Sequence, residues 1–157
     1  MTENQAHKSP PEPLSKSRLR LWLKLLKSSR LIEDEIRRRL RAECGSTLPR
    51  FDVMSALYRS AEGLKMSEIS QRLRVSNGNI TGIVDKLTEE GLALRVAVPG
   101  DRRASLVRLT PRGRQTFADH AAAHEGWLDT ILSGLDEDDI AGMLRRLDHL
   151  SATLEKR

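Results

Sequence analysis

The sequence predicts a mainly α-helical fold of the α+β class, in which one short β-hairpin interrupts a series of helices. Three observations support this. Only 3% of the residues are aromatic while 31% are charged, a composition typical of helix-rich soluble proteins. Apolar residues recur at spacings of three and four before residue 90 and again after residue 111. Between these segments the spacing falls to two, the period of a β-strand.

The N-terminal third divides into an arm and a long helix. Residues 1–13 hold three prolines and no apolar periodicity, so we expect a flexible arm there. From Leu14 to about Ala42 apolar residues recur at helical spacing, which predicts one long helix that ends near Gly45, a suitable C-cap. The next helix is expected to begin at Pro49, because proline suits the first helical position.

Two short helices joined by a tight turn follow. Ser67 is the expected N-cap of the first helix, in which Ile69 and Leu73 face inward. Ser76 is the expected N-cap of the second helix, which begins only a few residues after the first one ends. Two short helices this close together are typical of a helix-turn-helix.

The second of these helices contains two glycines in its first turns. Each glycine costs up to about 1 kcal/mol relative to alanine in a helix. Helical winding places Ile80, Ile83, Val84 and Leu87 on one face and Gly78, Gly82, Asp85 and Glu89 on the opposite face. Outward-facing glycines allow the helix backbone to approach a large partner closely. Close packing against another helix is the alternative explanation.

A β-hairpin with a basic tip comes next. Residues 92–98 and 105–110 are strand-like, and the segment "PGDRRA" between them predicts a turn that carries Arg102 and Arg103. A helix-turn-helix followed by such a hairpin predicts a winged helix-turn-helix over residues 49–112. In this architecture the second helix enters the DNA major groove, and the hairpin reaches the adjacent backbone or the minor groove.

The C-terminal segment returns to helical spacing. One long helix is expected from Pro111 to Leu135, and Asp136 is the expected N-cap of a last helix. Because a small winged domain cannot cover the broad apolar faces of the terminal helices, residues 14–44 and 113–157 are predicted to be dimerisation helices. The apolar stripe of the last helix consists of Ile140, Met143, Leu144, Leu147, Leu150 and Leu154.

Double-stranded DNA is the predicted partner. The first 114 residues carry 23 Lys and Arg against 13 Asp and Glu, whereas the last 43 carry 4 against 9, so the positive charge lies on the predicted DNA-binding part. Asn77, Asn79 and Thr81 are expected to reach base edges, and the basic residues to contact phosphates. The predicted DNA-binding set is Ser76, Asn77, Gly78, Asn79, Thr81, Gly82, Lys86, Arg72, Arg74, Asp101, Arg102 and Arg103.

Three segments resemble the MarR family of transcriptional regulators. The pattern Asp101-x-Arg103 followed by Leu109-Thr110 resembles that family's wing signature, and "MSEISQRLRVS…ITGIVDKLTEEGL" is similar to its DNA-reading helices. "LTPRGR" is similar to the start of its fifth helix, so the resemblance covers residues 14–157. It implies a homodimer built from the first, fifth and sixth helices, and a salt bridge through which Asp101 orients Arg103. Unlike many members, this second helix has no basic residue in its first turns, so the operator sequence stays open.

The resemblance also implies an effector. MarR-like regulators typically release DNA when a small molecule, often an aromatic acid, binds between the dimer helices and the winged domain. The run "IRRRLR" indicates either a clamp for an anionic ligand, such as the phosphates of an aromatic acyl-CoA thioester, or extra contact with the DNA backbone, and this first helix resembles that of the hydroxycinnamate-responsive subgroup. Core packing or a solvated face is the alternative for each candidate. The candidate ligand-binding residues are Trp22, Arg37, Arg38, Arg39, Phe51, Met54, His124 and Trp127.

Other regulators of the same fold stay open as alternatives. His120 and His124 have the spacing that suits zinc, but further ligands would have to come from glutamates of the first helix, and no metal site is predicted. The single cysteine, Cys44, is a conceivable redox switch. A ligand-independent architectural DNA-binding protein and a protein-interaction module are the remaining alternatives.

Several classes of protein are excluded by the sequence. It contains no phosphate-binding glycine loop, nucleophile elbow or HExxH motif, so neither an enzyme nor a cofactor is predicted. One cysteine cannot form an internal disulfide, which fits the reducing cytoplasm. No apolar run approaches 18 residues and the N-terminus lacks the apolar centre of a signal peptide, so no membrane association is expected.

Overall fold

The computed structural model describes residues 12–157, so the predicted arm at residues 1–13 lies almost wholly outside the described residues. The described chain is mainly helical with a small antiparallel sheet, which confirms the predicted fold class. Its helices are Leu14–Cys44 (α1), Leu48–Tyr58 (α2), Met66–Leu73 (α3), Asn77–Glu89 (α4), Pro111–Ile131 (α5) and Glu137–Glu155 (α6). Its strands are Leu64–Lys65 (β1), Ala93–Val98 (β2) and Asp101–Leu109 (β3), in the order β1-β3-β2.

The predicted long first helix is confirmed. The chain divides into two compact units, and the boundary between them falls within this helix. One unit ends at Glu35 and the other begins at Ile36. Gly45 ends α1 with a φ of +57°, the left-handed conformation that makes glycine a good C-cap. In the first unit Leu25, Leu26 and Ile32 of α1 are partly buried. Six other large apolar side chains of this part of α1 are more than half exposed: Leu14, Leu19, Leu21, Trp22, Leu23 and Leu31.

The core of the second unit lies between α2, α3, α4 and the sheet. Burial of each large aliphatic side chain contributes about 1.5–3 kcal/mol, so this core holds α4 against the rest of the unit. Three of the four residues predicted on the inward face of α4, Ile80, Val84 and Leu87, are fully buried, whereas Ile83 is only partly buried and lines a cavity described below. The other fully buried side chains of the unit are Leu40, Val53, Met54, Leu57, Ile69 and Val107.

The start of α3 differs from the prediction. The helix begins at Met66, and its N-cap is Lys65 rather than Ser67. The backbone N–H of Lys65 donates to the Glu68 carboxylate at 2.7 Å. The reason is the short strand β1, which pairs with β3 and keeps the chain extended up to the first helical residue. A strand of two residues is too short to show alternation in a sequence, and β1 was not predicted.

The hairpin is confirmed, but its tip is tighter than predicted. Strand β3 begins at Asp101 rather than at residue 105, and the turn consists of residues 99–100 alone. The register shifts between Ala97 and Val98, which leaves residues 102–104 as a bulge in β3. Both arginines of the predicted tip therefore lie in a bulge beside the turn.

The two C-terminal helices are both capped at their N-termini, and the predicted Asp136 cap is confirmed. Thr110 caps α5, and Asp136 caps α6 by accepting from the backbone N–H of Asp139 at 2.8 Å. The end of α5 is Ile131, four residues before the predicted Leu135. The side chains of the apolar stripe of α6 are between 41% and 58% exposed, so about half of this apolar surface is uncovered in the single chain. None of the described helices is both long and apolar enough to cross a membrane.

Candidate nucleic-acid interface

The outward face of α4 is almost free of side chains over its first two turns, before Asp85 and Glu89. Gly78 and Gly82 are exposed, and a Cβ atom built at either position would meet no atom within 4 Å. Close packing within the described chain therefore does not require glycine at these positions. The face leaves room for a large partner to approach the helix backbone.

Polar side chains border this bare face at the start of α4. The Ser76 hydroxyl accepts from the backbone N–H of Asn79 at 3.4 Å, which confirms Ser76 as the N-cap. The Thr81 hydroxyl donates to the carbonyl oxygen of Asn77 at 2.9 Å. The side chains of Asn77, Asn79 and Thr81 are exposed, so their amides and the Thr81 methyl group are available to base edges.

A cleft lies between α4 and the β2–β3 hairpin, the predicted reading helix and wing. This cavity, which we call the wing cleft, has a volume of about 410 Å³. Asn77 of α4 and Arg103 of β3 both line it. The ammonium of Lys65 and the guanidinium of Arg103 give it two positive charges suited to a DNA phosphate. Lys65, Ser67 and Ser105 were missed in the sequence because the pairing of β1 with β3 brings them there. The lining residues are Lys65, Met66, Ser67, Asn77, Arg103, Ala104 and Ser105.

The contact between Asp101 and Arg103 differs from the expected salt bridge. The Asp101 carboxylate accepts from the backbone N–H of Arg103 at 3.0 Å. No ion pair between the two side chains occurs among the described contacts. A carboxylate that bonds a backbone N–H two residues later is a common turn stabiliser, and it leaves the exposed Arg103 guanidinium available to an outside partner.

The other basic residues that are predicted to contact DNA differ in backbone conformation, hydrogen bonding and exposure. Arg74 ends α3 with a φ of +52°, a left-handed conformation that costs a non-glycine residue about 1–2 kcal/mol. The guanidinium of Arg72 donates to the Ser60 hydroxyl at 3.3 Å, so it is already engaged in the fold. Lys86 and Arg102, which are also predicted DNA contacts, are exposed.

A second cavity lies on the other side of α4. This arginine groove has a volume of about 450 Å³ and is lined by Arg37 and Arg41 of α1, the first residues of α2, and Asn79 of α4. Arg41 was missed, although it lies one helical turn after Arg37 on the same face of α1. Arg38 and Arg39 do not line this groove. Its other lining residues are Thr47, Leu48, Pro49, Val75 and Ile83.

Comparison with known proteins assigns the chain to a family. The sequence profile of the MarR family matches residues 45–104. The crystal structure of transcriptional regulator PA3341 superposes with a TM-score of 0.72 at 31% identity, covering 87% of this chain and 99% of that chain. The chain belongs to the MarR family.

Two further relatives extend this assignment along the chain. The MarR-family regulator from Silicibacter pomeroyi is 28% identical, with a TM-score of 0.75 over 92% of this chain and 99% of that chain. The transcriptional regulator MhqR of Bacillus subtilis is 28% identical over 141 residues, which are 85% of this chain and 93% of the relative. These relatives are transcriptional regulators rather than enzymes, and MarR-family regulators bind DNA, typically as dimers.

The other candidate ligand residues of this MarR-family chain lie apart from the arginine groove. The ring of Phe51 lies 4.9 Å from that of His124, and Met54 is 1% exposed. Trp127 is buried and its indole N–H donates to the Glu43 carboxylate at 3.1 Å. In the described part of the chain these four side chains therefore have packing roles. Trp22, in the unit that ends at Glu35, is 57% exposed.

The alternative sensors find little support in the described residues. Within residues 12–157, no group of three or more His, Cys, Asp or Glu side chains could hold a metal ion. Burial raises the pKa of the Cys44 thiol, and the neighbouring Glu43 carboxylate raises it further. Because the thiolate is the reactive form, this environment does not activate Cys44.

Proposed function

We propose that this MarR-family protein is a cytoplasmic, ligand-responsive repressor that binds a palindromic operator as a homodimer. A small aromatic acid or its CoA thioester releases it from the operator. The observation that carries the proposal is that Asn79 belongs both to the exposed start of α4 and to the lining of the arginine groove. An occupant of the groove would therefore contact the helix that reads DNA.

Operator reading is assigned to α4 and the wing. The bare surface at Gly78 and Gly82 lets α4 enter the major groove deeply, so that Asn77 and Asn79 reach base edges. The wing arginines enter the adjacent minor groove, where A·T-rich sequences attract guanidinium groups. The remaining predicted contacts, Ser76, Lys86 and Arg74, bind phosphates and determine the salt dependence, and Arg72 joins them by exchanging its hydrogen bond to Ser60 for one to a phosphate.

A homodimer is supported by exposed apolar surface and by charge. The α6 stripe and the apolar side chains of α1 before Glu35 are both exposed in the single chain, each within its own unit. Residues 14–31 contain six Lys and Arg and no acidic residue, whereas residues 115–157 have more than twice as many acidic as basic residues. A second copy can cover these faces with complementary charge. Two-fold symmetry would place the two α4 helices about 34–36 Å apart, one turn of DNA.

The effector class follows from the lining of the arginine groove. The guanidinium groups of Arg37 and Arg41 favour a carboxylate or phosphate, which arginine binds in a bidentate manner. Leu48, Val75 and Ile83 supply apolar surface for a ring. An acid that joins a ring to an anionic group matches both features, and a CoA thioester adds phosphates.

The experiment begins by selecting an operator duplex from a random library with the wild-type protein. Fluorescence anisotropy then measures release of that duplex by hydroxycinnamate, by its CoA thioester, and by acetyl-CoA as a control without a ring. The aromatic acid or its thioester should release the operator, and Arg41→Gln should raise the concentration needed by about tenfold or more because one charge-assisted contact is lost.

The matched control is Arg38→Gln, which removes the same charge from α1 outside the groove. It should respond to the effector like the wild type. Equal responses of Arg41→Gln and Arg38→Gln would refute the groove assignment. No release by any aromatic compound would favour a ligand-independent DNA-binding protein.

A further inference from the structure

The C-terminal end of α4 is held by side chains from two other parts of the fold. Arg50 of α2 donates two hydrogen bonds to the carboxylate of Glu90, the C-cap of α4, at 3.0 and 2.5 Å. Arg112 donates to the Glu90 carbonyl oxygen at 3.1 Å. The Thr110 hydroxyl donates to the carbonyl oxygen of Gly91 at 2.7 Å. The end of the reading helix is therefore tied both to α2 and to the start of α5.

The Arg50–Glu90 pair is geometrically demanding. The Arg50 side chain is 18% exposed and that of Glu90 is 48% exposed, so the guanidinium lies largely within the fold. A planar guanidinium that forms two parallel hydrogen bonds with a carboxylate fixes both distance and orientation. The pair therefore defines how the end of α4 is turned relative to α2.

The surrounding backbone leaves little freedom for adjustment. The backbone N–H of Thr110 donates to the carbonyl oxygen of Leu92 at 3.0 Å. A Cβ atom at Gly113 would lie only 1.9 Å from that same oxygen, so the first turn of α5 is pressed against the chain that leaves α4. Because the backbone at the C-terminal end of α4 cannot shift, we expect loss of the Arg50–Glu90 ion pair to change the angle of α4 while this end stays in place.

A small tilt at Glu90 becomes a large displacement at the DNA-reading end. Helix α4 contains 13 residues, which correspond to about 20 Å at about 1.5 Å per residue. A tilt of about 5° at one end therefore moves the other end by roughly 1.7 Å. The predicted base-reading residues lie at that moving end, where hydrogen bonds tolerate only a few tenths of an ångström.

We propose that Arg50 and Glu90 are a positioning pair for operator reading: their ion pair fixes the tilt of α4 and thereby the sequence specificity of the protein. The inference rests on the proposed reading of the operator by α4. Simple electrostatics predicts a different result, because loss of a negative charge from a DNA-binding protein strengthens binding to operator and random duplex alike and leaves the ratio of the two affinities unchanged.

The test compares Glu90→Gln with the matched control Glu89→Gln. Both variants remove one negative charge from the same turn of α4, but only Glu90 bonds Arg50. Affinities for the selected operator and for a random duplex are measured at the same salt concentration, and circular dichroism verifies folding. We expect Glu90→Gln to reduce the ratio of operator to random affinity by about tenfold, and Glu89→Gln to leave this ratio within about twofold.

A double-mutant cycle separates positioning from a loss of stability. Arg50→Lys keeps the charge but cannot form the two-pronged contact, so it should also lower the affinity ratio. The double variant of Arg50→Lys and Glu90→Gln should be no worse than the poorer single variant, because both changes remove the same contact. Variants that lose thermal stability but keep the ratio would contradict the inference.

The outcomes distinguish this inference from the proposed function. If Glu90→Gln keeps the same affinity ratio as Glu89→Gln, the positioning role is overturned while operator reading stands. If the wild-type protein itself shows no preference for the selected duplex over a random one, the proposed operator reading fails first.

Discussion

Asn77 of α4 and Arg103 of β3 line one cleft, so the helix and the hairpin present their predicted DNA contacts side by side. The third side of the cleft is Lys65, at the junction of β1 and α3. Because β1 pairs with β3, the wing and the helix-turn-helix share one backbone framework. A duplex bound at α4 is therefore expected to meet the wing without a large rearrangement.

The first prediction concerns Arg103. Replacement by alanine should weaken operator binding by about 1–3 kcal/mol and reduce the slope of log affinity against log salt by about one, because one cation–DNA contact is lost. Titration of labelled operator at several salt concentrations measures both effects. The control is Arg108→Ala, an exposed arginine of the same strand that does not line the wing cleft. An unchanged salt slope for Arg103→Ala would refute the wing assignment.

The second prediction concerns Gly82. Since a Cβ atom at this position meets nothing within 4 Å, alanine should stabilise the isolated protein by about 0.5–1 kcal/mol through its higher helix propensity. The same methyl group would intrude between α4 and the bases, so operator affinity should fall. Urea unfolding and anisotropy measure the two effects in parallel. A variant that is more stable and binds the operator as tightly as the wild type would show that glycine there has no role in DNA reading.

The third prediction concerns His120 and pH. Burial lowers the pKa of His120 below its ordinary value of 6.5, and the positive charge of Arg50 lowers it further. The Asp119 carboxylate raises this pKa, but by less than burial lowers it. The folded protein then binds fewer protons than the unfolded chain, so this contribution to stability is present above pH 6.5 and decreases as the pH falls below it. The free energy of unfolding should therefore decrease more in the wild type than in His120→Gln between about pH 7.5 and 5.5.

Urea unfolding of both proteins at the two pH values provides the measurement. The difference between them isolates His120 from the other histidines. An identical pH dependence of the two proteins would mean that His120 titrates with the same pKa in the folded and unfolded chains. Glu90 acts in the same direction at lower pH, because its hydrogen bonds from Arg50 lower its pKa below 4.5.

The sequence predicted features that repeat over several turns of one helix. It did not predict a very short strand or contacts between residues that are far apart in the chain. The helical stripes, the Ser76 cap and the outward glycines of α4 follow from local spacing alone. The two-residue strand β1 has no readable period, and its absence from the prediction led to the wrong N-cap at Ser67. The arginine groove was only half found, because residues of α1 and α4 that are 42 positions apart, such as Arg37 and Asn79, meet through tertiary packing.

The last prediction concerns the dimer. Leu147 lies in the α6 stripe, where its side chain is 41% exposed in the single chain. If a second copy covers this stripe, Leu147→Glu buries an unpaired carboxylate, which costs several kcal/mol and should give monomers with little operator affinity. Sedimentation velocity measures the oligomeric state. The matched control is His149→Glu, which introduces the same side chain on the opposite side of α6 and should remain dimeric, because residues two apart differ by about 200° around a helix. A folded dimer of Leu147→Glu would exclude this stripe from the interface.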